Sequence, residues 1–517
     1  MATVFRRHPV DLPAILRALV ASPGGASILL CLVALAARAV QFGNPAVQVD
    51  DQFYLLVGDR MWQGALPYVD IWDRKPIGLF LIYAAIRGLG GGGIIQYQIV
   101  ATAFAAGTAI TIQRIAGRIA SPLGAVAAGV LYLTSLGMCG GEAGQSPVFY
   151  NLLVAQAVLA TIRVVERPGL DARGMADSVL AMLLMGLALQ VKYTVLFEGA
   201  YLGLVLAWKA QRGGTGPYRL AALMAFWMAL GIAPTAIAWA AYAAIGHGGD
   251  FFFANFTSIF GRGHEPSTQT LGRLVTMAAK LLPLGYAGAA GLRPAPDPPA
   301  EPASTPILVR RIVAGWAIVA IAGVGIFGDY FDHYALPLLV PLAVATAPVL
   351  GDPSAGVAVV ARGRTHLIPA AVALPLLTGV VTVTTIGKNR HARGVGEQVQ
   401  EMADFIRSRL TGCLFVYDGE PILYHLTGSC LPTRWPFPDH LNNRIEDGAI
   451  GVDPLAETRR IMAGRPALVV SSDEPERKMN WRTWNYMQAV LARDYRPAAS
   501  WKIGIRYRVI YERLPGH

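Results

Sequence analysis

Charge is what this chain lacks: Asp, Glu, Lys and Arg make up 15% of its 517 residues, against 54% for the apolar types. Soluble globular proteins carry about a quarter charged residues, so the scarcity excludes that class and points to a protein that crosses a membrane many times. Cysteine is scarce too, with four residues, too few for the disulfide framework of a small secreted domain. Cys31 and Cys139 fall in or near apolar runs and read as packing residues. Cys413 and Cys430 share the polar last quarter and are a candidate disulfide if that part meets oxidising conditions. The net charge is +11, yet no basic stripe with interleaved aromatics exists, which excludes nucleic acid as a partner. A cleaved leader is also missing: Arg6, Arg7 and Arg17 precede an apolar run that is too long and has no small-residue cleavage site, so it reads as an uncleaved anchor with a cytoplasmic start.

What is present is a succession of apolar runs, at 27–42, 93–113, 121–138, 152–165, 176–191, 195–208, 220–244, 271–292, 312–328, 335–350 and 367–386. Several approach the ~20 residues that cross a bilayer as a helix, which predicts about eleven transmembrane helices. Arg114 and Arg118, then Arg163, Arg167 and Arg173, then Lys209, Arg212 and Arg219, then Arg293, Arg310 and Arg311, then Arg362 and Arg364 fall in alternate loops. Positive loops stay inside, so this alternation places the N-terminus in the cytoplasm. Residues 76–91 are apolar but short, contain Arg87 and end in a glycine-rich tail, and are expected as a juxtamembrane or re-entrant helix of the first loop. Residues 293–306 are Pro-rich and read as a linker.

From 387 onward charges become frequent, and short strand-like runs at 413–417 and 467–471 alternate with helical ones at 398–410 and 481–493. The chain therefore divides into a membrane domain, 1–386, with its first outer loop at 43–92, and a soluble α/β domain, 387–517. An odd number of spans puts the second domain outside.

The most chemical stretch is VDDQFYLLVGDRMWQGALPYVDIWDRKPIG, Val49 to Gly78. Asp50, Asp51 and Tyr54, then Gly64, Pro67 and Tyr68, then Lys75 and Pro76 stand in a spacing that resembles the first extracytoplasmic loop of the GT-C glycosyltransferases, in particular the aminoarabinose transferase and protein O-mannosyltransferase group (glycosyltransferase families 39 and 83). That loop carries an acidic pair followed by an aromatic, then a Lys-Pro-Pro element. Here Ile77 stands for the second Pro, and Arg74, with Asp73 one position earlier, stands where an acid is usual, a departure that counts against a metal-assisted variant of the mechanism.

The resemblance implies Asp50 as the group that activates an acceptor hydroxyl, with Asp51 orienting or sharing the site. It implies Lys75, with Arg74 beside it, as the cation that stabilises a departing lipid phosphate. Lys192, between two short apolar runs, is a third candidate for the donor phosphate, because an unpaired lysine at membrane depth is costly; the bland alternative is an ion pair with Glu198. Glu142 falls where relatives carry a second acid, with Ser146 or Asn151 as alternative occupants of that position. His333 and Tyr334 resemble a late His-Tyr loop, the interfacial aromatic belt being the alternative for the tyrosine. His264 and Glu265, with His247 and Asp250 upstream, are of a type that ligates divalent metal, although no His-Glu-x-x-His spacing occurs. Aromatics in Arg434 to Arg444 and Trp481 to Tyr486 could contact sugar, but core packing accounts for them more simply.

The implied fold is a polytopic α-helical membrane protein of GT-C type with a C-terminal soluble α/β domain. The implied function is an inner-membrane glycosyltransferase taking a hexosyl or pentosyl group from a polyprenyl-phosphate donor to a lipid, glycan or protein acceptor of the cell envelope. A rival class is a transporter or flippase of lipid-linked sugars. Such proteins commonly show internal repeats and midplane polar residues, and here no repeat is found and the charges gather at one face. A polymerase or ligase of surface polysaccharide is the other enzyme reading.

Overall fold

The computed structural model describes residues 19–293, 305–361 and 364–515. Most of the linker at 293–306 and the first part of the N-terminal anchor lie outside the described residues. Each of the expected apolar runs is a helix. In chain order they are α1 (Pro23–Arg38), α4 (Ile94–Ala116), α5 (Pro122–Ser135), α6 (Ser146–Glu166), α7 (Ala172–Leu189), α8 (Leu196–Arg212), α9 (Pro217–Ala244), α11 (Ser267–Gly291), α12 (Thr305–Phe327), α13 (Leu336–Leu350) and α14 (Ala370–Arg393). Between them lie α2 (Val49–Trp62), α3 (Ile77–Arg87) and the short α10 (Gly248–Phe252).

Local chemistry starts these helices where the sequence breaks. Ser22 caps α1 through Gly25 N, Ser121 caps α5 through Gly124 N, and Asp171 caps α7 through Gly174 N, with proline in the first turn of α1 and α5. Each cap satisfies an amide that has no partner inside its helix.

Among the described residues nine helices are long and apolar enough to cross a membrane, fewer than the eleven expected. The helices at the other two positions are α5, of 14 residues, and α8, of 17. At 1.5 Å per residue α5 reaches only about 21 Å, short of the about 30 Å hydrocarbon core. It is walled by α4, α13 and α14, and a 3-10 turn at Gly137–Cys139 extends it.

Helix α3, of 11 residues, is too short to span and lies against α2. The two helices meet at Gly58, where a Cβ would stand 2.6 Å from the Tyr83 backbone, so only glycine permits this crossing. The glycine-rich tail ends α3, and Gly93 at φ +80° turns the chain into α4.

A two-stranded hairpin, β1 (Gly356–Ala361) with β2 (Arg364–Pro369), precedes α14 and was not expected from the sequence. Helix α14 passes the expected boundary at 387 and ends at Arg393, where Gly394 takes φ +86°. Its last turns carry Lys388, Arg390 and Arg393, and a helix emerging from lipid has no need to stop when its side chains become charged.

The C-terminal region holds α15 (Gly396–Arg409), β3 (Leu414–Val416), α16 (Ile422–Thr427), α17 (Asp439–Asn442), α18 (Pro454–Ala463), β4 (Leu468–Ser472), α19 (Trp481–Asp494), β5 (Tyr495–Ile503) and β6 (Arg506–Arg513). Its sheet runs β3-β4-β6-β5, with β3 parallel to β4 and the other pairs antiparallel. Strand β4 is buried throughout, as a central strand with both faces covered must be. Cys413 and Cys430 are bridged, with Cα atoms 4.9 Å apart; Cys139 is buried and Cys31 is exposed on the outer surface of α1.

Candidate active site

The first loop, the 140–151 segment, the α7–α8 turn, the 247–270 loop, the turn before α13 and the C-terminal domain all meet at one end of the bundle. Asp50 and Asp51 occupy the first turn of α2, where the helix's unpaired amides favour negative charge. Gln145 Nε2 donates to Asp50 Oδ2 at 3.0 Å, and Gly144 N donates to Asp51 Oδ2 at 2.7 Å. Burial raises the Asp50 carboxyl, but Lys75, His333, the Gln145 amide and Lys192 together outweigh it and hold the group below its ordinary value. Asp51 is fully buried with one oxygen unpartnered, and burial pushes it well above the carboxylate range. The pair is thus split in electrostatics, Asp50 held down by the groups it faces and Asp51 pushed up by burial in the wall.

Lys75 stands 5.7 Å from the Tyr54 ring centroid, and Lys192 stands 4.3 Å from that of Tyr334. Neither ammonium makes a direct ion pair among the described residues. Glu198 instead accepts from Trp316 Nε1 at 2.6 Å, so the pairing of Lys192 with Glu198 considered from the sequence is not formed. Burial lowers Lys75, yet Asp73 and Asp50 outweigh it and its pKa is raised. Lys192 is half-buried, and its withdrawal from water beside Lys75, with Asp50 as partial compensation, pushes it down to about 7. The backbone that presents Lys75 is set by Tyr68, which takes φ +71° and donates its hydroxyl to the Lys75 carbonyl at 2.9 Å.

Beside these residues opens an apolar groove of about 640 Å³, lined by Ile77 and Leu81 of α3, Phe104 of α4, Val191 after α7, and Ile237 and Tyr242 of α9. Ile77 and Val191 are close chain neighbours of Lys75 and Lys192.

The remaining expected residues fall in different places, and some are corrected. Arg74 does not face this groove: its guanidinium grips both oxygens of Glu446 in the C-terminal domain, which also accepts from Arg262 Nε at 2.9 Å, while Arg262 reaches Asp329 at 2.6 Å. Glu265 is buried and ion-paired to Lys478, with Arg273 at 3.5 Å, whereas His264 is exposed. His247 pairs with Asp250 at 3.0 Å. Glu265 is thus taken by cations while His247 and Asp250 hold each other, and among the described residues no group of three or more His, Cys, Asp or Glu is placed to hold a metal ion. Glu142 lies by Asp51 and accepts from Asn389 at 3.3 Å and Gln48 at 3.5 Å, its pKa raised by burial. Asn151 donates to the Leu336 carbonyl at 3.1 Å. Trp435 and Trp484 are buried, Trp484 against Tyr417 within the C-terminal region, whereas Phe437 and His440 pack on Phe53 and Trp72 of the first loop and form the seam between the domains.

Two contributors escaped the sequence reading. Arg38 of α1 is 2% exposed and donates to the Gly141 carbonyl, to the Ala143 carbonyl at 2.6 Å and to Thr102 Oγ1 at 3.0 Å. It pins the segment that presents Gly144 and Gln145 to the two acids. The available signal was a lone arginine near the end of an otherwise apolar span. Gln145, a neutral residue in a loop, offered none.

No protein-family model matches the chain, and no curated protein is similar to it in sequence. The fold does have solved counterparts. ArnT from Cupriavidus metallidurans in the apo state superposes with a TM-score of 0.60 at 16% identity, over 94% of this chain and 97% of that one. ArnT from the same organism bound to undecaprenyl phosphate gives 0.58 at 16% identity, over 98% and 99%. The resemblance carried by the first loop is borne out at the level of fold: this chain has the polytopic membrane architecture of ArnT, a GT-C glycosyltransferase.

Proposed function

We propose that this protein is an integral-membrane glycosyltransferase that moves a sugar from a polyprenyl-phosphate donor to an acceptor hydroxyl, at the Asp50 end of the bundle and on the outer face of the membrane. One observation carries the reading: two half-buried lysines without direct carboxylate partners are close chain neighbours of Ile77 and Val191, which wall an apolar groove. Burying an unpaired ammonium is expensive unless an anion arrives to meet it. A lipid phosphate satisfies both features, with its chain in the groove and its phosphate on Lys75 and Lys192. The ArnT structure with undecaprenyl phosphate supports a ligand of this kind.

In this reading Asp50, kept ionised by its surroundings, accepts a hydrogen bond from the acceptor hydroxyl and takes its proton as the new oxygen–carbon bond forms at the anomeric carbon. The bond from that carbon to the phosphate oxygen breaks with inversion. Lys75 and Lys192 stabilise the negative charge that gathers on the departing lipid phosphate.

The test is sugar transfer by purified protein supplied with polyprenyl-phosphate sugars and candidate acceptors. A charge-assisted bond is worth about 1.5–3 kcal/mol, so Lys75→Ala should raise the donor KM and lower kcat by about ten- to hundredfold in kcat/KM. Lys75→Arg should recover part of the loss, because charge survives while geometry changes. If Lys75→Ala leaves both constants unchanged, the lysine is an interfacial anchor only.

A further inference from the structure

A second groove lies at the other end of the bundle and has no part in the chemistry above. Helix α8 leaves the Lys192 turn and reaches Arg212 after 17 residues, about 25 Å along its axis. Against its far half packs the start of α12. The groove between them, about 420 Å³, is walled by Leu204 and Val205 of α8 and by Leu308 and Ile312 of α12. This volume lies within the about 300–1,000 Å³ of ordinary ligand sites. Leu204 is 61% exposed and Trp208, on the same wall, 39%, so the groove opens sideways from the bundle.

Its mouth carries Arg212 and Arg311, both exposed. Four other cations of this end have partners of their own. Arg118 pairs with Glu166 at 2.7 Å, Arg167 with Asp177 at 3.2 Å, Lys209 donates to the Val165 carbonyl at 3.1 Å, and Arg310 donates to the Arg293 carbonyl at 2.9 Å. Arg212 has its guanidinium 5.8 Å from the Trp208 ring, and neither Arg212 nor Arg311 meets a carboxylate among the described residues.

We infer that this groove binds an anionic diacyl phospholipid, with an acyl chain along the apolar walls and the headgroup phosphate between Arg212 and Arg311. Paired guanidiniums match a phosphate in charge and geometry, and basic pockets between membrane helices select acidic headgroups. Tryptophan beside the cations fixes the depth: it sits at the headgroup level, with the apolar walls below it.

The test titrates lipid-stripped protein in detergent with phosphatidylglycerol or phosphatidylcholine and counts retained lipids by native mass spectrometry. Wild type should retain phosphatidylglycerol in preference to phosphatidylcholine. Arg212→Gln with Arg311→Gln should weaken one phosphatidylglycerol site by about thirtyfold, the combined effect of two cations near a headgroup. Arg212→Lys with Arg311→Lys should keep most of the binding, and Arg219→Gln, a basic residue of the same end outside the groove, should change nothing. Anionic lipid captured near Lys75 is counted equally in all these variants, so the difference isolates the groove. Equal retention by wild type and the glutamine pair overturns the inference, as does equal retention of the two lipids. Loss in the lysine pair as deep as in the glutamine pair also overturns it, because charge then has no part. A wild-type dimer that the glutamine pair abolishes assigns the groove to a second copy of the chain instead.

Discussion

Asp50 and Asp51 are adjacent in sequence, share one helical turn and have opposite electrostatics. Asp50 faces Lys75, His333 and Lys192, while Asp51 is sealed against the Gly144 amide. Asp50→Asn should therefore fold and bind donor normally but lose transfer by about 10² or more, the order expected when a general base is removed. Asp51→Asn keeps an oxygen to accept from the Gly144 amide and should cost far less turnover; kcat for the two variants decides between them. The lysines differ in the same way. Lys192 titrates at about 7 because burial disfavours its charged form, so its cation is present below that pH and lost as pH rises through it. Donor KM should climb as pH is raised past about 7, and Lys192→Arg, which cannot be deprotonated in this range, should flatten that climb. A KM profile measured for both proteins checks this.

At the scale of elements, α1 places a functional loop from a distance. Arg38 reaches out of a membrane helix to two carbonyls of the 141–143 segment, and that segment's next residues hold Asp51 and Asp50. Losing the guanidinium leaves buried carbonyls without partners, at about 1–3 kcal/mol each. Arg38→Met should insert and fold with a lowered Tm and lose kcat more than donor affinity. Arg38→Lys should fail to restore kcat, because one ammonium cannot fill the geometry of the fork. Full kcat in either variant would show that the loop holds its shape unaided. Much of the element level was legible beforehand: the apolar runs, the short α3 and the α/β pattern after 387 follow from run length and periodicity. The β1–β2 hairpin and β5–β6 were not, since alternation there is weak and the pairing of strands, rather than propensity, decides them.

At the scale of the whole molecule, the C-terminal domain is clamped to the membrane domain by Glu446, which receives Arg74 of the first loop and Arg262 of the α10–α11 loop. Burial raises Glu446, but these cations and His440 outweigh it and bring its pKa from 4.5 to about 2. A carboxyl depressed in the folded state contributes stability that is present above its ordinary value and lost as pH falls towards the depressed one. Glu446→Gln should thus lower the stability of the clamp by on the order of 3 kcal/mol, as when one partner of a buried pair is removed. It should also abolish the clamp's acid sensitivity below pH about 4.5; limited proteolysis of the C-terminal domain across pH reports both. For orientation, the alternation of basic loops predicts a C-terminus outside. A reporter active only in that compartment, fused after residue 517, should be active, and a silent but stable fusion would reverse the topology.

Composition alone determined that this chain belongs in lipid, because apolar area and the scarcity of charge are sums that need no coordinates. The spacing of Asp50, Tyr54, Lys75 and Pro76 determined where to look for chemistry, because those residues lie close along one loop. Which cation meets which anion was decided only by the tertiary structure. Arg74 and Lys75 are neighbours in the chain, yet one turns to Glu446 and the other towards Asp50. Lys192, Glu142 and Arg38 acquire partners from segments about a hundred residues or more away. Charge interactions at low dielectric depend on distances of a few ångströms, and those distances are set by helix packing, which the one-dimensional pattern does not contain.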